Sequence, residues 1–66
     1  MRFVRKEVEG ETVLFVFDCG SIQEVEKQLS SEYEIYYTAE DEFIATMRLD
    51  RMNFGKDVQF RVVKID

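Results

Sequence analysis

Five successive apolar positions, Val13 to Phe17, make Thr12-Val13-Leu14-Phe15-Val16-Phe17 the most hydrophobic run of the chain. Neighbouring side chains of a strand point to opposite faces, so Val13, Phe15 and Phe17 line one side and Leu14 and Val16 the other. Both sides need a cover. A helix can supply one; the other calls for the sheet curling over, a second copy of the chain, or a different partner. The run is also uncharged, β-prone and free of proline, an aggregation hazard if left bare.

Around this run the pattern reads as ββαβββ. Residues 2 to 8 and 12 to 18 form a hairpin about Glu9-Gly10-Glu11, where glycine supplies the positive φ of a three-residue loop. Arg2, Arg5, Lys6 and Glu7 among Phe3, Val4 and Val8 suit an edge strand, because charge there discourages pairing with other chains. The second strand is then expected inside the sheet. Ser21-Ile22-Gln23-Glu24 matches a capping box, with Ile22, Val25 and Leu29 forming one stripe of a short helix. A third strand follows in Glu32 to Thr38, with Tyr33, Ile35 and Tyr37 on one face and Tyr36 among the glutamates.

Residues 39 to 50 fit two templates. Phe43, Ile44 and Met47 would stripe a helix, but Phe43, Ala45, Met47 and Leu49 alternate with Glu42, Ile44, Thr46, Arg48 and Asp50, and the longer period of two favours a strand. Met52 to Lys56 supplies turn residues, and Val58 to Ile65 a last strand with Val58, Phe60 and Val62 in phase. The expectation is one small α+β domain over residues 1–66, an antiparallel sheet with one helix on one face. Leu14, Val16, Tyr36, Ile44, Val63 and Ile65 fall on the other face. That is too much apolar surface for an ordinary solvated side, so the sheet curves towards a half-barrel or the face is an interface.

Composition narrows the function classes. A chain of 66 residues buries only about 60% of its unfolded surface, which leaves a thin stability margin. Cys19 is the only cysteine, so no internal disulfide forms, and a reducing, cytoplasmic setting fits. No apolar run is long enough for a signal peptide or a membrane span. Without histidine the usual acid–base group is missing, Cys19 has no imidazole to activate it, and Ser21 reads as a cap. Neither Glu40-Asp41-Glu42 nor Asp50 to Asp57 has the spacing of a metal loop. The chain is expected to be no enzyme and to carry no metal or cofactor.

Charge is distributed unevenly within a net −5. Residues 24 to 50 carry eight carboxylates against Lys27 and Arg48, while Arg51, Lys56, Arg61 and Lys64 outnumber Asp57 and Asp66 at the end of the chain. An acidic strip attracts basic protein surfaces and repels nucleic acid, although charge runs are most often plain solvated faces. Tyrosine among carboxylates favours contact with a partner, so Glu32, Glu34, Tyr36, Glu40, Asp41 and Glu42 are the candidate partner-binding residues. Carboxylates in a row also imitate phosphates. By size and charge the chain is expected to be an accessory regulator or inhibitor of the kind phages and mobile elements encode.

Two alternatives stand beside this reading. One is a homodimer through the second sheet face, with Leu14, Val16, Ile44, Val63 and Ile65 as its core. The other is a single-stranded nucleic-acid binder that stacks bases on Phe54, Phe60 and Phe43 with Arg51, Lys56, Arg61 and Lys64 as basic flanks, against the acidic balance.

Overall fold

The computed structural model describes residues 1–48 and 59–65. Strands β1 (Arg2–Lys6) and β2 (Val13–Asp18) precede helix α1 (Ile22–Leu29), and β3 (Tyr33–Ala39), β4 (Glu42–Met47) and β5 (Gln59–Lys64) follow it. They build an α+β domain, with all strand pairs antiparallel in the order β2-β1-β5-β4-β3. Residues 42–47 are a strand, as their period of two indicates. The turn expected at Met52 to Lys56, together with Leu49 and Val58, lies outside the described residues.

The core follows from alternation. Phe3, Phe17, Tyr33, Phe43, Ala45, Phe60 and Val62 project from the sheet to meet Ile22 and Val25 of α1, and all are buried. Tyr33 meets Phe60 edge-to-face at 5.0 Å between ring centres. Leu29, third member of the helical stripe, packs at the margin with Cys19, Ile35 and Met47.

The strand order reverses one expectation. β1 lies between β2 and β5, and β2 is the edge. The charges of β1 do not bar it from the centre because they are absorbed locally. The Arg5 guanidinium stacks 3.8 Å from the centre of the Phe60 ring, and Lys6 Nζ pairs with the Glu11 carboxylate at 2.8 Å.

The hairpin and the cap also differ from the sequence pattern. β1 and β2 are joined by residues 7–12 rather than by three, with a register slip that sets Val13 opposite Lys6 and leaves Leu14 as the extra residue of a bulge. Neither Gly10 nor Gly20 lies in the left-handed φ region. Arg61 organises the longer loop: its Nε donates to the Glu7 carbonyl at 2.9 Å, and its Nη2 donates to the Gly10 carbonyl and to the Glu11 carboxylate. These are charge-assisted bonds from β5 to a distant loop, invisible to local turn rules. At the helix start, Ser21 is the N-cap residue without a side-chain cap bond. Glu24 instead reaches back one residue further and accepts from the Gly20 amide at 2.9 Å, still satisfying a backbone donor beside the first turn.

Phe60 joins β5 to the helix, Tyr33 and Arg5, so Phe60→Ala is expected to cost about 3–5 kcal/mol, most of the margin of a small domain. A urea titration checks this, with the unfolding midpoint collapsing towards zero denaturant.

Candidate functional site

Among the described residues the fold leaves open two sheet edges and the face without a helix. An eight-residue helix is about 12 Å long, whereas five strands span about 19 Å, so α1 cannot shield the whole sheet. Phe17 lies under the helix, but Phe15, two residues earlier on the same face, is 56% exposed and touches Phe17 edge-to-face. The sequence pattern places Phe15 under cover with Phe17; the shortness of the helix overturns that.

Six candidate partner-binding residues follow the other edge, β3, and its turn into β4. Glu32 precedes the strand, Glu34 and Tyr36 lie on its helix-free side, Glu40 and Asp41 form the turn, and Glu42 begins β4. This is a strip rather than a cluster, about 26 Å from Glu32 to Glu40 in extended chain. Tyr36 is 72% exposed, the highest value among the large apolar and aromatic side chains of the described residues. Arg48 approaches Glu34 only to 3.7 Å, and both side chains remain open to solvent. Glu42 accepts from the Thr38 hydroxyl at 3.0 Å, which steadies the turn between the strands. Arg48 is mainly an anchor of the helix end, its Nε and Nη2 donating to the Ser30 carbonyl.

The helix-free face assembles the apolar residues expected there, with an interruption. Val16 and Val63 flank Val4, which is buried between them, and Ile44 stands opposite Tyr36. Between these two groups Lys6 and Arg61 face each other across β1 and β5, and Arg61 is next to Ile44 across β5 and β4. Lys6 and Arg61 hold Glu11 between them, each at 2.8 Å, and the two cations pull its carboxyl below the ordinary range. Local pattern reading counted the apolar positions of this face and missed its cationic centre, because the partner of both cations lies in a distant loop. Leu14 sits at the bulge and Ile65 just beyond β5, both partly exposed.

The aromatic residues proposed for base stacking are elsewhere. Phe43 and Phe60 are fully buried, and Phe54, Arg51 and Lys56 lie outside the described residues. Cys19 is half-buried beside the core, its thiol 3.5 Å from the Ser21 carbonyl. Among the described residues no three carboxylates or cysteines gather as a metal site, and no helix is long and apolar enough to cross a membrane.

One contact links the acidic edge to the helix. The Tyr37 hydroxyl donates to the Glu26 carboxylate at 2.7 Å, and partial burial followed by that hydrogen bond pushes the phenol from 10.0 up to about 12. Because the folded value is raised, this contribution to stability is whole below about pH 10 and is lost as pH climbs through about 12. Spectroscopic titration is expected to reveal a phenolate forming near pH 12 that is absent from Tyr37→Phe.

Comparison with family models, with curated proteins and with solved structures finds no match to this chain, so its own surface chemistry carries the functional reading.

Proposed function

We propose that this chain is a small non-enzymatic binding module that presents the acidic β3 edge to a basic surface on another protein, acting as an accessory regulator or inhibitor in a reducing, cytoplasmic setting. The observation that carries this reading is Tyr36, a large aromatic side chain 72% exposed beside Glu34 on an edge strand. An exposed tyrosine serves as a contact anchor at little entropic cost, and the flanking carboxylates draw a cationic surface towards it. Glu32 extends the strip at one end, and Glu40, Asp41 and Glu42 at the other. A row of carboxylates along an edge also suits a groove that otherwise takes phosphates, so a nucleic-acid-binding protein is a natural target.

Glu34, Glu40 and Asp41 lack the buried partners whose loss would unfold the chain, which makes charge reversal a fair test. Affinity capture with the wild-type chain is expected to retain a basic protein at about 0.15 M salt and release it at about 1 M, where the screening length falls to roughly 3 Å. The triple variant Glu34→Lys, Glu40→Lys, Asp41→Lys is expected to retain none of it. Equal retention by both chains, or no partner held by the wild type, contradicts the proposal.

A further inference from the structure

The opposite edge of the sheet carries a second binding device. We infer that β2 pairs with β2 of a second copy of this chain, antiparallel about a two-fold axis, to give a continuous ten-stranded sheet. This does not rest on the acidic-edge reading, since it uses the other end of the molecule.

The backbone phase defines what the edge offers. The Cys19 amide donates to the Met1 carbonyl at 3.1 Å, and Phe3 faces Phe17 in the same register. In an antiparallel ladder the hydrogen-bonded pairs alternate, so Phe15 and Phe17 turn their N–H and C=O groups towards β1. Val16 and Asp18 therefore turn theirs outward. β2 pairs with β1 alone among the described strands, and none of these takes up those groups. The usual protections of an edge are sparse here: no proline and no charge occur from Thr12 to Phe17, the strand's charge being confined to its last residue, Asp18, and its bulge lies at the beginning. The side chains match this openness, Val13, Leu14, Phe15 and Val16 being 39–56% exposed on both faces.

Charge selects a second copy as the occupant. A protein of net charge −5 resists self-association unless its carboxylates stay apart. The acidic strip belongs to β3, four strand spacings or about 19 Å from β2, well beyond a screening length of about 8 Å. In the paired sheet the two β3 strands lie at opposite ends, about 43 Å apart. Of the carboxylates that flank the apolar run, Glu11 is already held by Lys6 and Arg61, and Asp18 stands opposite Arg2 at the far end of the strand. Pairing β2 with β3 of another copy would instead bring the apolar edge against the acidic strip and leave an edge free to add further copies. The two-fold arrangement closes, keeps both helices on one side, and, with Val16 opposite its own equivalent, sets Phe15 beside Phe17 of the second copy.

Pairing one short strand buries less than the roughly 800 Å² per partner of a standard interface, so the dimer belongs to the weak, micromolar class. Sedimentation of the full chain from about 1 μM to about 1 mM spans that range. The expected result is a mass that rises from monomer to dimer and stops there, with the midpoint moving to lower concentration in high salt as the remaining repulsion is screened. Val16→Pro removes an outward N–H and no ladder bond within the chain, and is expected to weaken the dimer at least tenfold. Phe15→Lys places a charge at the edge on the helix side and should do the same if the proline variant fails to fold. Tyr36→Lys and Ile65→Lys, on the helix-free face, should dimerise like the wild type. A monomer at every concentration, growth beyond a dimer, a folded Val16→Pro or Phe15→Lys that pairs normally, or loss of the dimer in the helix-free-face variants overturns the inference. Salt separates this outcome from the acidic-edge reading, because salt strengthens this contact and weakens that one.

Discussion

Everything in this domain follows from having one short helix for a five-stranded sheet. Ile22 and Val25 seal the centre of one face over Phe3, Phe43, Phe60 and Val62. Their reach takes in Phe17 of β2 and Tyr33 of β3 but not the whole length of those outer strands, so Phe15 on β2 and Tyr37 on β3 remain partly open. The core is correspondingly concentrated: aromatic rings fill the space beneath the helix, and the first and last strands, β1 and β5, lie side by side at its centre. Bringing the ends of the chain together at mid-sheet makes the most buried pairing also the longest-range one, with a loop-closure cost that the core must offset.

The face without a helix is held in a different way. Val4 is buried there between Val16 and Val63, while Lys6 and Arg61 lie across the middle and grip the loop of residues 7–12 through Glu11 and two loop carbonyls. Long cationic side chains cover apolar surface with their stems while their heads remain hydrated. The face therefore acts as a scaffold for the hairpin, and the contrast between the edges stands out: β2 apolar up to its last residue, Asp18, and β3 lined by carboxylates and an exposed tyrosine. Such polarity equips a small domain to meet two different kinds of surface at its two ends.

The elements themselves were legible in the sequence because their signals are local. The stripe Ile22, Val25, Leu29 marks the helix, and the unbroken alternation through Phe43, Ala45 and Met47 marks β4 against a rival helical pattern. The candidate acidic residues do line one edge and its turn, since spacing along a strand fixes that. What eluded the sequence depends on strand order. Charge on β1 reads as an edge signal only while the partners of Arg5 and Lys6, the Phe60 ring and Glu11, are unknown. Loop length and capping shifted for the same reason: Arg61, from far along the chain, sets the loop, and Glu24 prefers the Gly20 amide to that of Ser21. The exposure of Phe15 could not be read from alternation, which gives the face of a residue and not the length of the helix above it.

The status of β2 as an open edge is the claim on which the two-ended surface depends, and amide hydrogen exchange at concentrations low enough to keep the chain monomeric tests it most directly. Amides of Val4 and Val63, in the central pair, should exchange slowest, those of Phe15 and Phe17 should be protected by β1, and that of Val16 should exchange almost as fast as an unstructured amide. Strong protection of Val16 in the dilute monomer would mean that another segment of the chain pairs with β2, and would contradict the account.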